Sequence, residues 1–325
     1  MRRREFMTLV GGAAASLPLS VRAQPATPVV GFLYAGPPEP NSGRVTAFRN
    51  GLNDVGYVDG RDVSILFRWA GKDEELPELA ADLVRRRVAV IVTPVSTQAT
   101  LAAKAATTTI PIVFAVGGDP VALGLVASLN RPGGNITGIS ILNVELMSKR
   151  LGLLRELAPQ ATHFAALVNP NTAFTPAVVK SLQQGSATLG ISVDIFHAST
   201  DGEIQAAFAS IAQRPGGALL LGPDAFFTSR RVQITALAAS HAVPTMYVIR
   251  EFADAGGLIS YGPDIEHTCE QVGTYAGRIL AGEKPADLPV VQSDKFEMVI
   301  NLAAAKALGL TVPPTLLAIA NAVIE

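Results

Sequence analysis

An apolar strand followed by a helix is a pattern that runs through this 325-residue chain twice, and few folds accommodate it. In the first pass, Val29 to Tyr34, Val63 to Trp69, Val88 to Thr93 and Ile110 to Val116 are short runs rich in β-branched residues. Helical stretches at Arg44 to Val55, Leu76 to Arg87 and Gln98 to Ala106 separate them. Runs that are apolar throughout suit parallel strands buried on both faces, and the alternation suits βα units with right-handed crossovers. The second pass offers strands at Phe164 to Val168, Ile191 to Phe196, Ala218 to Leu221 and His241 to Tyr247, with a helix at Ala177 to Leu189. Landmarks repeat at similar spacing: Gly56 to Gly190 is 134 residues, Pro94 to Pro223 is 129, and Pro111 to Pro244 is 133. Gly133-Gly134 is echoed by Gly256-Gly257. Four matches in one order predict two α/β lobes of like build, against the alternative of generic βα grammar.

The stretch from Ile110 to Ile141 is expected to carry a ligand loop. Its buried strand stops at Gly117-Gly118-Asp119-Pro120, where Asp119 and Pro120 read as the N-cap and first position of a helix over Val121 to Leu129. A strand end, a glycine loop and a helix start are where open α/β sheets bind small molecules. After Arg131-Pro132-Gly133-Gly134, the strand Ile136 to Ile141 would carry the chain to the second lobe. A further helix from Pro263-Asp264 to Leu280, a strand from Lys295 to Ile300, and helices at Leu302 to Leu308 and Thr315 to Val323 follow both lobes. That order predicts a hinge of several strands. The expected division is residues 28–140 with 264–290 in lobe 1, and 141–262 with 291–325 in lobe 2.

Residues 1–23 read as a cleavable signal peptide. Arg2-Arg3-Arg4 is a basic start, Phe6 to Leu19 is apolar but shorter than the ~20 residues of a membrane span, and Val21-Arg22-Ala23 fits a cleavage site. Arg3-Arg4-Glu5-Phe6-Met7 resembles a twin-arginine signal, so both Sec and Tat export stay open. Cleavage removes four arginines and one glutamate, moving the net charge from −1 to about −4. No basic surface for nucleic acid is expected. Arg85-Arg86-Arg87 reads as a solvated helix end, and the single cysteine, Cys269, as a small buried apolar residue. A freely soluble periplasmic monomer is the expectation.

Several motifs together resemble a known family. Gly60-Arg61-Asp62-Val63, Ile110-Pro111-Ile112-Val113-Phe114, Asp119-Pro120-Val121, Arg131-Pro132-Gly133-Gly134-Asn135-Ile136-Thr137-Gly138, Tyr261-Gly262-Pro263-Asp264 and Gly282-Glu283-Lys284-Pro285 carry the likeness. The chain resembles the ABC-transporter substrate-binding proteins of the tryptophan/tyrosine-binding type. The resemblance spans nearly all of residues 28–325 and implies the type I periplasmic binding protein architecture: two Rossmann-like (flavodoxin-like) lobes with parallel sheets. It also implies a small polar solute, an amino acid or related molecule, bound by hinge closure, and an inner-membrane permease and ATPase as partners.

In such a fold, ligand groups come from loops at the carboxyl ends of strands in both lobes. Candidates from the first lobe are Thr93, Ser96, Thr97, Gly117, Gly118 and Asp119; from the second, Asn169, Asn171, Asp224, Tyr247, Arg250 and Glu251. The start of the helix at Ser96-Thr97 suits a ligand carboxylate, and Asp224 or Asp119 suits an ammonium. Each has a plainer role beside this one. Asp119 and Thr97 read equally as helix caps, Asn169-Pro170-Asn171 as a turn, and Arg250-Glu251 as a solvated pair. Tyr34, Tyr247 and Tyr261 either wall a ligand or finish a core, and Trp69 is expected in packing.

Catalytic signatures are missing: there is no Gly-x-Ser-x-Gly, His-Glu-x-x-His or Cys-x-x-Cys. His163, His197, His241 and His267 lack ligand spacing. No cofactor or metal is expected. A sensory domain for a signalling partner and an α/β enzyme using Asp119 or Asp224 remain the alternatives.

Overall fold

The computed structural model describes residues 27–38, 42–214 and 216–325. The proposed signal peptide, residues 1–23, lies outside them. The first lobe begins β1 (Val29–Ala35), α1 (Ser42–Asp54), β2 (Ser64–Ala70), α2 (Leu76–Arg85), β3 (Val90–Thr93), α3 (Thr97–Ala106), β4 (Ile112–Val116) and β5 (Ile136–Ser140). The chain then builds α4 (Met147–Leu157), β6 (His163–Val168), α5 (Thr175–Leu189), β7 (Val193–His197), α6 (Asp201–Ala212) and β8 (Gly217–Leu221). After these come α7 (Ala225–Ser229), α8 (Arg231–Ser240), β9 (Thr245–Tyr247), α9 (Arg250–Asp254) and β10 (Ile259–Pro263). The last elements are α10 (Ile265–Leu280), β11 (Val291–Gln292), β12 (Phe296–Asn301), α11 (Leu302–Ala307), α12 (Pro314–Ile319) and β13 (Ala322–Ile324).

Two sheets result. The first has the order β11-β5-β4-β3-β1-β2 and is parallel throughout. The second has the order β13-β12-β10-β9-β8-β6-β7. It is parallel except for β12, which runs antiparallel to β10, so the expectation of purely parallel sheets is corrected at that edge. The strand residues of β3, β4 and β5 are all buried, as apolar runs with helices on both faces require.

The chain passes between the sheets after β5, between β10 and α10, and between β11 and β12. These passages are laced together: Ser293 N–H donates to the Ser140 carbonyl (2.8 Å), and Asp264 N–H to that of Lys295 (3.0 Å). The boundary expected at 290/291 cuts just ahead of β11, which pairs with β5 in the first sheet. Helix α10 returns to the first lobe against α1, where Gly51 and Gly273 permit backbone contact. A Cβ on Gly273 would stand 2.1 Å from the Phe48 carbonyl oxygen, and one on Gly51 1.8 Å from that of Glu270. Cys269 on α10 is buried beside Ala47 and Ile265 in a core shared with Phe227, Ile249 and Phe252 of the second lobe, and burial pushes its thiol up to about 12. Trp69 packs with Phe32, Phe67 and Tyr34.

Two local expectations fail. Residues 121–129 form turns rather than a helix. Asp119 Oδ1 accepts from Val121 N–H (2.8 Å), a local turn, and Gly124 adopts φ +67°, which ends any helical winding. The last helix stops at Ile319, and Ala322–Ile324 becomes β13, which satisfies the otherwise open edge of β12.

Candidate functional site

A cavity of about 60 Å³ lies between the carboxyl ends of the two sheets. The first lobe supplies Tyr34, Arg44, Val95 through Gln98 and Gly117; the second supplies Thr172, Phe174, Asp224 and Thr228, with Asn143 coming from the passage after β5. Ser96 caps α3 by accepting from Ala99 N–H at 3.4 Å. The start of that helix, at Thr97 and Gln98, therefore faces the cavity. Val95, just before it, adopts φ +54°, and Leu142, just before Asn143, φ +53°. Left-handed backbone at these residues is costly, and it is held here just before the α3 start and just before Asn143 on the hinge passage.

Asp224 N-caps α7. Its Oδ1 accepts from Phe227 N–H (3.2 Å) and from Asn169 Nδ2 (3.1 Å), and the Phe226 N–H also supports the carboxyl. Burial pushes its carboxyl up to about 6, against the opposing pull of Asn169 and the Phe227 and Phe226 N–H groups. Arg44 is buried and crosses between the lobes: its Nη2 donates to Glu251 Oε1 at 2.8 Å, and its Nη1 to the Tyr34 hydroxyl. Burial opposes its charge, but Tyr34 and Glu251 together raise its pKa. Two further contacts bridge the cleft. Gln98 Nε2 donates to the Asn171 carbonyl (3.3 Å), and a Cβ on Gly118 would come within 3.0 Å of Phe174 Cβ.

Of the residues expected from sequence, the cavity wall brings together Ser96, Thr97, Gly117 and Asp224. Asn169, Asn171 and Gly118 stand just behind it, the first as a support for Asp224 and the other two as interlobe contacts. Thr93 is placed elsewhere: it is fully buried, and its hydroxyl shares a hydrogen bond with that of Thr100 (2.8 Å) inside its own lobe. Tyr247 is fully buried and stacks on Phe252 with ring centroids 4.9 Å apart. Asp119 is exposed in its turn, away from the wall. Arg250 and Glu251 face a separate polar cavity of about 490 Å³ on the far side of Arg44, where Arg250 pairs with Asp254 (3.3 Å) and Glu297 (3.6 Å). Burial pushes the Glu297 carboxyl up to about 7. Sequence reasoning missed Arg44, Gln98, Asn143, Thr172 and Phe174. A signal existed only for Gln98, which continues the Ser96-Thr97 helix start.

Among the described residues, no group of three or more His, Cys, Asp or Glu could hold a metal, and no helix is long and apolar enough to cross a membrane.

Comparison with known proteins matches this arrangement. The family model for ABC transporter substrate binding proteins matches residues 42–324. A tyrosine-binding protein of Clostridioides difficile strain R20291 is 29% identical over 264 residues, covering 81% of this chain and 75% of that protein. An ABC domain from Streptococcus pneumoniae, solved in complex with L-Trp, superposes with a TM-score of 0.84 at 25% identity, over 92% of this chain and all of that one. A ligand-free, open substrate binding protein with adhesive properties from Clostridium difficile superposes less closely, with a TM-score of 0.67 at 26% identity over 92% of this chain and 99% of that one. A conserved domain protein from Vibrio cholerae gives 0.84 at 27% identity, over 91% and 99% of the two chains. The two lobes, the cleft between their strand ends and this family match together make the chain a member of the ABC transporter substrate binding proteins, with the type I periplasmic binding protein fold.

Proposed function

We propose that this substrate-binding protein captures a zwitterionic amino acid between its lobes and presents the closed form to the permease and ATPase of an inner-membrane importer. Asp224 carries the reading: a half-buried carboxylate in the cleft wall, with no cation in hydrogen-bond contact among the described residues, suits an ammonium beside its capping role. Ser96, Thr97 and Gly117 form the facing wall, and Tyr34 and Phe174 flank the ligand body. The tyrosine-binding and L-Trp-bound relatives support an amino acid as the solute class.

The cavity, at about 60 Å³, is far smaller than the ~300 Å³ at which ligand pockets begin, so the lobes part to admit solute and close over it. The closer superposition on the ligand-bound relative than on the open one supports a closed arrangement here. Export through the signal peptide at residues 1–23, with cleavage after Ala23, would place a monomer in the periplasm. A thermal-shift screen of the twenty L-amino acids tests the reading. A ligand that binds only the folded state stabilises it by RT ln(1+[L]/Kd), about 2.7 kcal/mol at 100 Kd. No shift with any of them would reject it.

A further inference from the structure

Arg150, on α4, is the largest fully buried side chain in the described residues, and no carboxylate partners it there. Its Nε donates to the Tyr261 carbonyl (2.7 Å), Nη1 to the Asn143 carbonyl (3.0 Å), and Nη2 to the Val248 carbonyl (3.3 Å) and Asn143 Oδ1 (2.7 Å). A guanidinium buried without an anion is costly, so a chain that keeps one there has a use for the charge. The use is visible in Asn143. Arginine has donors only, so the side of the Asn143 amide turned to it must be the oxygen. The NH2 is thereby directed away, to the Gly117 wall: Nδ2 lies 3.5 Å from where a Cβ on Gly117 would stand. No described residue accepts a hydrogen bond from it. Asn143 is buried and lines the cleft, so this donor is offered to the cavity.

We propose that Arg150 is a positioning residue for the ligand: it locks the Asn143 amide with its N–H aimed into the cleft, and that point is the seat of the ligand's carboxylate. The carboxylate supplies the countercharge that Arg150 lacks, one residue away, while Asp224 takes the opposite end. Because Arg150 also ties the passage after β5 to Tyr261 in β10 and to Val248 after β9, the seat is fixed to the hinge passage rather than to a ligand loop. The inference rests on the proposed reading of this cleft as the solute site.

The test is Asn143→Asp, which is isosteric, keeps an oxygen for Arg150 and replaces the donor by an acceptor. The twenty L-amino acids are titrated calorimetrically into wild type and variant, together with 4-hydroxyphenylacetate and indole-3-acetate, carboxylates without an ammonium. The expected result is an unchanged or higher melting temperature, because Arg150 gains a carboxylate, with affinity for every bound acid lowered at least ~100-fold. If amino acids bind both proteins equally, this inference falls and the solute reading stands. If only the ammonium-free acids bind wild type and Asn143→Asp abolishes it, the inference stands and the amino-acid reading falls. If no carboxylate binds wild type, both fall.

Arg150→Met gives a second readout should Asn143→Asp fail to fold. Removing the charge should cut the preference for a bound acid over its carboxamide at least ~10-fold, with Arg150→Lys keeping part of it. A merely structural arginine would weaken acid and amide alike, leaving the preference unchanged, and that result overturns the proposal.

Discussion

Replacing Asp224 by Asn should make the ligand-free protein more stable and the receptor worse. In the fold, the Asp224 carboxyl titrates near 6 rather than at the ordinary 3.8, chiefly because burial penalises its charge. A raised carboxyl pKa means the folded state favours the protonated form. Its contribution is fully present below the unfolded pKa near 4 and is lost as pH rises through 6. Two pKa units correspond to roughly 3 kcal/mol by the time the group is fully ionised. Asn keeps an oxygen for Asn169 Nδ2 and Phe227 N–H, so Asp224→Asn removes the charge and little else. At pH 7.5 the variant should melt roughly 5 °C above wild type, given the melting entropy of a chain of this length. The gain should shrink across pH 6 to 4 and vanish at about pH 4. Calorimetric melts at pH 4, 5, 6 and 7.5 would show this. Ligand titration at pH 7.5 should show the reverse, with affinity for an ammonium-bearing solute reduced 10- to 100-fold on the order of one charged hydrogen bond. For wild type, affinity should fall as pH drops below 6 and Asp224 takes up its proton. A variant gain equal at pH 4 and 7.5 would refute the electrostatic account, and unchanged affinity would refute the placement of the ammonium.

Two other perturbations separate closure from contact. Glu251→Gln weakens the interlobe pair with Arg44 while keeping an oxygen for it; small-angle scattering of the ligand-free protein should show a larger radius of gyration, and the wild-type value would count against a latch. Gly118→Val places a side chain where a Cβ already sits 3.0 Å from Phe174 Cβ across the cleft. It should leave the melting temperature within ~1–2 °C and lower solute affinity several-fold by holding the lobes apart, an effect calorimetric titration would measure.

How far the sequence carried this picture depended on whether an element's role was local. Buried strands such as Ile112–Val116 were legible because an all-apolar run has one use in an α/β fold. Helix α6 is legible in its capping box, Thr200 with Glu203. The 121–129 helix misled because Asp119-Pro120 imitates a helix start, while Gly124 takes a conformation that stops one. Along the cavity wall, Ser96, Thr97, Gly117 and Asp224 could be expected because they lie in the loops or helix starts that follow strand ends. Thr93 and Tyr247 also end strands but turn to the wrong face: side chains alternate along a strand, and parity is invisible until the register is known. Arg44, Phe174 and Asn143 were illegible for a different reason. Each reaches the cleft only because the opposite lobe or a hinge passage comes to meet it, as Leu142 at φ +53° brings Asn143 round.

Charge explains why such residues belong at the meeting of the lobes. Closing the cleft around about 60 Å³ removes water from Arg44 and Asp224, while Arg150 sits buried beneath the hinge. Of the two arginines, Arg44 has a carboxylate in hydrogen-bond contact, Glu251 on the other lobe, whereas Arg150 is bonded to carbonyl and amide oxygens. The pair therefore favours closure with or without solute, whereas the desolvated Asp224 opposes it above pH 6. An ammonium delivered to Asp224 reverses that second contribution and leaves the first untouched. In the proposed site, the ligand would shift the balance between open and closed by the cost it relieves as much as by the contacts it adds, since only a difference between the two states can move their equilibrium. A neutral solute of the same shape would make the same packing contacts and still leave Asp224 without a countercharge, so it should bind at least ~10-fold more weakly at pH 7.5 than at pH 5, where Asp224 is protonated.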